Sequence, residues 1–154
     1  MKKTDIRKRA YNVVEMMLVR QKQIERAVTE ARAEAAKGRS GGGTSGHVFV
    51  SDPTAQQAIK DAEPLRMVTL DDGYRIYHPE KWLWCLQSTY EECQEVERKA
   101  MHYFYYLNHS IRETAEHESM DESTAYRIRH EFRHMCTELA CQLNLVNVVR
   151  IGHV

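Results

Sequence analysis

The chain lacks the features that mark several common protein classes. No run approaches the ~18 consecutive apolar residues of a membrane span, and no apolar block follows the charged N-terminus as in an export signal. No two cysteines form a Cys-x-x-Cys pair of the kind that binds structural zinc. Because the chain shows no export signal, we expect the cysteines to be reduced, half-buried thiols. These absences predict a cytoplasmic protein that is not associated with membranes. The cysteines are Cys85, Cys93, Cys136 and Cys141.

Motifs for catalysis are also lacking. The glycine-rich stretch 41–46 has no Gly-Lys-Ser/Thr ending and follows a predicted helix, so it is a linker and not a phosphate-binding loop. The acidic pairs at 71–72 and 91–92 are typical of a turn and a solvated helix face. We therefore predict that the protein is not an enzyme and uses no cofactor.

There is no excess of charge of either sign. The 22 Lys and Arg residues balance 22 Asp and Glu residues, and the pI is about 7.1. Residues 1–39 are locally basic, with eleven Lys or Arg against five Asp or Glu. A neutral chain can bind nucleic acid through a local basic face, but its non-specific affinity should be weak and sensitive to salt.

Apolar periodicity predicts a mainly α fold: a helical bundle with a C-terminal helix-turn-helix, a long N-terminal helix and a small β-hairpin. The predicted parts are a basic helix over 1–37, a Gly/Ser-rich linker over 38–47, a short helix with the hairpin over 48–78, and a helical domain over 79–154. The long first helix needs a cover for its apolar stripe. It either packs along its own protomer or pairs with another chain in a homo-oligomer.

Local signals refine these parts. After an extended piece at 48–50, Pro53 begins a helix over 54–62. Two β-favouring runs flank Asp71-Asp72-Gly73 and predict the hairpin. Pro79 begins an apolar-faced pattern that extends to Asn108, either as one bent helix or as two helices that meet near Glu92. The apolar end of the chain is either a short strand or a packed terminus.

Residues 110–142 carry the helix-turn-helix pattern. Ser110 is a natural N-cap, and Glu113 three residues later completes a capping box, so a helix should begin at Ile111. The pattern is interrupted at 119–121, and a second start signal lies at Asp121 or Ser123. A short helix, a tight turn and a longer helix form the plan in which the second helix enters the DNA major groove.

The second helix of this unit has two different faces. Ala125, Ile128 and Phe132 recur at helical spacing and are expected in the core, and the small side chain of Ala115 permits a close crossing. The opposite face is polar, and its Arg, Ser and Thr side chains suit phosphates and base edges. The candidate DNA-binding residues are Ser123, Thr124, Tyr126, Arg127, His130 and Arg133, and His134 lies on the same face.

Two other interpretations fit parts of this segment. The unit can be an ordinary helical hairpin with a solvated polar face. His130 and His134 also have a spacing that can bind zinc, with Cys136 and Cys141 nearby. A zinc site would need further ligands to converge from elsewhere, and two histidines on a DNA-facing surface explain the same residues. We therefore predict no metal site.

The block from Glu95 to Cys141, with SIRETAEHESMDESTAYRIRHEF at its centre, resembles region 4 of sigma-70-type factors. In that module a helix-turn-helix binds the −35 promoter element and a neighbouring surface docks on RNA polymerase. Many such turns have Gly where this chain has Ser119. Over nearly its whole length the chain also resembles phage late-gene activators of the RinA, ArpU and LtrC type. That resemblance includes the basic first helix, the Asp-Asp-Gly hairpin and Pro79-Glu80-Lys81-Trp82.

These resemblances imply a phage or prophage regulator of late genes for packaging or lysis, at work in a bacterial host. Its partners would be double-stranded promoter DNA and host RNA polymerase. Two alternatives remain. One is a DNA-packaging protein similar to a small terminase subunit, which would form a large oligomer. The other is a polymerase-binding module that does not bind DNA by itself.

Overall fold

The computed structural model describes residues 3–40 and 63–147, with side chains from residue 8 to residue 37 in the first range. The predicted glycine-rich connector, the extended piece at 48–50 and the helix over 54–62 lie outside the described residues. The described chain is mainly helical and contains a two-stranded antiparallel hairpin, which confirms the predicted fold class. Within these ranges, no helix has the length and apolar character needed to cross a bilayer.

The segment predicted as one N-terminal helix forms two, α1 (Lys3–Val19) and α2 (Gln21–Ser40). The interruption is confined to Arg20, whose N–H still donates to the carbonyl oxygen of Met16 at 3.1 Å. Helix α2 also extends past its predicted end at residue 37. A single glycine costs a helix only about 1 kcal/mol relative to alanine, and the preceding Ala, Glu and Lys residues are strong helix formers. Gly38 therefore does not end the helix.

Of the described residues, those up to Lys22 and from Lys81 onward form one compact unit, and those from Gln23 to Glu80 form a second. The second unit contains the predicted hairpin, β1 (Met67–Thr69) paired with β2 (Arg75–Tyr77). Gly73 has φ +86°, and its N–H donates to the carbonyl oxygen of Leu70 at 2.9 Å. This conformation favours glycine, and it closes the three-residue loop that the Asp-Asp-Gly sequence predicts.

The first unit contains most of α3 (Pro79–Glu92) and all of α4 (Glu95–Met101). The two helices meet near Glu92, one of the two arrangements that the sequence left open. Arg98 stabilises the junction, because its Nε atom donates to the carbonyl oxygen of Tyr90 and its Nη2 atom to that of Cys93, both at 3.2 Å. The guanidinium thus adds hydrogen bonds to carbonyl groups at the C-terminal end of α3, where helical donors run out.

A π-helical turn, His102–Tyr106, follows α4 and sends successive aromatic rings to different partners. Tyr103 stacks between two histidines, and Phe104 packs against the core of the helix-turn-helix. The Tyr105 hydroxyl donates to Glu15 of α1 at 2.6 Å. The Tyr106 ring lies 5.1 Å from Lys22 Nζ. These rings pack within the protein.

The helix-turn-helix consists of α5 (Ile111–His117) and α6 (Glu122–Gln142). Helix α6 ends in a turn in which Asn144 has φ +59° and the Leu145 N–H donates to the Ala140 carbonyl oxygen at 2.9 Å. Residues 143–147 form no strand, and Val146 is buried. Of the two predictions for the tail, the packed terminus is correct over these residues.

Candidate nucleic-acid interface

The start of α5 has the predicted capping geometry. The N–H of Glu113 donates to Ser110 Oγ at 3.1 Å, and Glu113 Oε1 accepts from the same hydroxyl. Glu113 Oε2 lies 2.8 Å from His109 Nδ1. The hydrogen bonds from His109 and Ser110 lower the pKa of Glu113. The cap therefore begins the helix one residue after Ser110, as predicted.

The turn between the helices is a C-terminal cap in which Ser119 takes the left-handed position, with φ +54°. The N–H of Met120 donates to the Ala115 carbonyl oxygen at 2.9 Å, and the N–H of Ser119 donates to Glu116 at 3.3 Å. This is the Schellman pattern. Glycine is the usual residue at the left-handed position of this motif, so Ser119 adopts the same conformation at a steric cost.

Small side chains bring the two helices together. Ala115 of α5 and Ala125 of α6 are almost completely buried and form one cluster with Ile111. Phe104 of the π-helical turn and Met120 of the turn pack against this cluster. The predicted role of Ala115 as a close-crossing residue is confirmed.

Helix α6 begins after Asp121, one of the two predicted start points. Asp121 has the extended backbone of an N-cap residue (φ −72°, ψ 150°), but its side chain makes no capping hydrogen bond. Glu122 adds a second carboxylate in the first turn. The N-terminal end of α6, beside the candidate DNA surface, is therefore acidic.

Most of the predicted contact residues are exposed on the N-terminal half of α6. Ser123, Arg127 and His130 are exposed, and the side chain of Tyr126 is 55% exposed. Thr124 is half-buried, so its side chain lies at the edge of this surface. We call the exposed group, Ser123, Tyr126, Arg127 and His130, the α6 face.

The structure places Arg133 apart from the α6 face. Its guanidinium carbon lies 5.4 Å from the Tyr11 ring centroid, and its Nε atom is shielded from solvent. His134 is also engaged, because its Nδ1 atom lies 2.6 Å from the Tyr11 hydroxyl and its Nε2 atom 3.1 Å from Glu138. Helix α1 packs against this part of α6, and the helical spacing of residues 130–134 does not reveal that contact.

A cluster that the sequence did not suggest joins α1 to α6. Glu15 accepts hydrogen bonds at 2.6 Å from Arg129 Nη2 and from the Tyr105 hydroxyl. Burial and the Glu15 carboxylate raise the pKa of Tyr105 well above its ordinary value. Burial would lower the pKa of Arg129, but its hydrogen bonds to Glu15 and Tyr105 outweigh this effect and raise it. Glu15 lies 90 positions from Tyr105 and 114 from Arg129 in the sequence, so no local pattern links it to them.

The electrostatic character of the two-helix unit is not basic. Residues 110–142 contain four Arg, no Lys and seven Asp or Glu. Of the arginines, Arg129 and Arg133 are half-buried. The exposed ones have acidic neighbours one turn away: Arg127 lies 3.8 Å from Glu131, and Arg112 lies 3.5 Å from Glu116. With two exposed arginines and seven acidic residues, the unit therefore offers few cations for phosphate groups.

The residues considered for zinc do not converge. His134 is bound to Tyr11 and Glu138, Cys136 is fully buried, and His130 is exposed. In the part of the chain that the structure describes, no three His, Cys, Asp or Glu side chains are placed to hold a metal ion. The thiols of Cys85 and Cys136 lie in the core, where a hydrogen bond to Cys136 and burial raise the pKa of Cys85.

The comparisons with known proteins add no relative. Neither the protein-family models, nor the curated proteins, nor the solved structures contain a match to this chain.

Proposed function

We propose that the protein is a sequence-specific DNA-binding transcription regulator that inserts the N-terminal half of α6 into the major groove of a promoter. The observation that carries the proposal is the combination of a capped seven-residue helix, a tight turn and a 21-residue helix with an exposed polar first half. In helix-turn-helix proteins, the N-terminal residues of the second helix contact base edges.

Each member of the α6 face has a chemical role in this proposal. Arg127 donates to guanine O6 and N7, the commonest specific contact in the major groove. Ser123 donates to or accepts from a base edge or a phosphate. His130 and Tyr126 supply further hydrogen-bonding groups beside it. Arg133 contributes through packing on Tyr11 and makes no base contact.

The charge of the surface limits the affinity that this face provides alone. Non-specific binding to a duplex depends on the number of phosphates that Lys and Arg neutralise. Near the same surface, the carboxylates of Asp121, Glu122 and Glu131 repel phosphates. We therefore infer that stable binding depends on a second partner at the promoter, and the resemblance to sigma region 4 suggests host RNA polymerase. The resemblance to phage late activators suggests late genes for packaging or lysis as targets.

Two alternatives differ in measurable ways. A polymerase-binding module without independent DNA binding is favoured by the acidic surroundings of α6. A protein similar to a small terminase subunit would instead form a large ring and bind a packaging site. The molar mass in solution distinguishes the ring, and a pull-down with polymerase subunits identifies the module.

A DNA-binding titration tests the proposed function. Promoter fragments from upstream of late-type operons are compared with a scrambled duplex, for the wild type and for Arg127→Ala. We expect the variant to lose about 1–3 kcal/mol of binding free energy on the preferred fragment and little on the scrambled duplex. Arg75→Ala is the control, because Arg75 is exposed on β2, outside the two-helix unit, and its loss changes the net charge equally.

Two results of this titration contradict the proposal. If no duplex binds better than the scrambled control at low salt, α6 does not recognise a sequence by itself. If Arg127→Ala and Arg75→Ala weaken the preferred fragment equally, Arg127 acts only through net charge.

A further inference from the structure

An open cleft of about 610 Å³ lies between α4, the π-helical turn and the end of α5. Four of its eight lining residues are Arg, Lys or His, and one is acidic. This contrasts with the two-helix unit, where acidic residues outnumber Arg. We call it the basic cleft. The lining residues used below are Arg98, Lys99, His102, Tyr103, His117 and Glu118.

We propose that the basic cleft is a second DNA contact, which binds the phosphate backbone beside the major groove occupied by α6. This inference rests on the proposed function, because it assumes that α6 binds a duplex. It adds the cations Arg98 and Lys99 to the one cation of the α6 face, Arg127.

The position of the cleft along the chain supports this assignment. His117 is the last residue of α5, and Glu118 begins the turn that leads into α6. Ser123 lies six positions after His117, so their Cα atoms are at most about 21 Å apart. The major groove is ≈12 Å wide, so this limit is comparable with the distance from a residue in the groove to the phosphates that flank it.

The side chains of the cleft are held in place from several sides. The Tyr103 ring stacks on His117 at 4.0 Å between centroids, and on His109 at 3.9 Å. The His102 ring stacks on Tyr106 at 4.8 Å. The exposed His102 imidazole, held in this way, loses little conformational freedom when it donates to a phosphate oxygen, whereas His117 Nδ1 lies 3.1 Å from Glu118.

Lys99 is the residue through which the inference is tested. Its side chain is 61% exposed, and its Nζ atom lies 3.1 Å from Glu95, also an exposed group. Such an exposed pair contributes little to stability, so Lys99 can exchange its partner for a phosphate. Arg98 is less suitable, because its guanidinium caps the carbonyl oxygens of Tyr90 and Cys93.

The experiment measures the salt dependence of binding for the full chain on the preferred and the scrambled duplex. We expect Lys99→Gln to reduce the slope of log K against log salt by about 0.9, and to do so equally on both duplexes. When the salt concentration rises from 50 mM to 200 mM, the affinity of the variant should fall by a factor that is about threefold to fourfold smaller than the factor for the wild type. Lys99→Glu should reduce binding further. Lys81→Gln, an exposed lysine on α3 that does not line the cleft, is the matched control.

The possible results separate the two proposals. If the wild type prefers its promoter fragment and Lys99→Glu leaves the slope and affinity unchanged, the basic cleft does not contact DNA and the α6 proposal stands. If Lys99→Glu binds DNA normally but no longer captures polymerase subunits, the cleft holds an acidic protein surface and the inference is wrong. If the wild type binds no duplex specifically, the proposed function fails first, and the inference fails with it.

Discussion

The two halves of α6 have the same apolar periodicity and very different surroundings. In the first half, Ala125 and Ile128 are buried, and the α6 face is exposed on the other side. In the second half, Phe132, Cys136 and Ala140 continue the buried stripe, but α1 also packs against the flank that carries Arg133. The first half therefore presents an exposed surface, and the second half, which we call the anchor, holds the helix against α1.

This difference locates the part of the helix available to a partner. The arginines on the flank of α6 that faces α1 gain a carboxylate or an aromatic ring from within the protein, as Arg129 does with Glu15 and Arg133 with Tyr11. Arg127, on the exposed α6 face, lies 3.8 Å from the exposed Glu131 one turn away. A residue type that suits DNA thus has a structural role on the flank that faces α1 and a proposed binding role on the α6 face.

The sharpest test of this comparison exchanges a large side chain for alanine in each half. Phe132 is 2% exposed and packs against the rings of Tyr90 and Tyr105, at centroid distances of 4.8 and 5.9 Å. We expect Phe132→Ala to lower the free energy of unfolding by about 3–5 kcal/mol. Tyr126→Ala should change it by no more than about 0.5 kcal/mol, and should instead weaken promoter binding. Urea denaturation measures the first quantity and DNA titration the second; an equal loss of stability in both variants would remove the distinction between the halves.

A second test loosens the anchor. Glu15→Ala leaves Arg129 and Tyr105 without their shared acceptor, and we expect a loss of about 2 kcal/mol in the free energy of unfolding. This is less than the ~3–5 kcal/mol of a fully buried pair because both charged side chains keep some exposure. Glu15→Gln is the control, since the amide oxygen still accepts one hydrogen bond and the loss should be smaller. If Glu15→Ala unfolds at the wild-type urea concentration, the cluster does not stabilise the contact between α1 and α6.

The smallest expected effect concerns the turn between α5 and α6, which contains Ser119. Ser119→Gly removes the strain of a left-handed serine, and we expect about 0.5–1 kcal/mol of added stability. Asn108→Gly is the matched control, because Asn108 has φ +59° in a similar cap and Asn tolerates that region better than Ser. The gain should therefore be larger at Ser119 than at Asn108. Destabilisation by Ser119→Gly would mean that the serine side chain supports the turn.

Sequence reasoning succeeded where the cause is local. Ser110 and Glu113 define the start of α5 through bonds within one turn, and Gly73 defines the hairpin loop through its own φ angle. The alanines that bring α5 and α6 together were also predictable, because both lie on the apolar stripes of adjacent helices. Sequence reasoning missed the division of the N-terminal helix at Arg20, for which no Gly or Pro gives a signal.

The sequence by itself therefore determined the mainly helical class, the hairpin, the two-helix unit and its capped ends. Only the tertiary structure decided which side chains of α6 remain exposed, because that depends on where α1 packs. Only it decided the separate partners of the four rings at 103–106, because the π-helical turn changes their angular spacing relative to an α-helix. Caps and turns are determined by neighbours a few residues away, whereas exposure depends on elements that are distant in the chain.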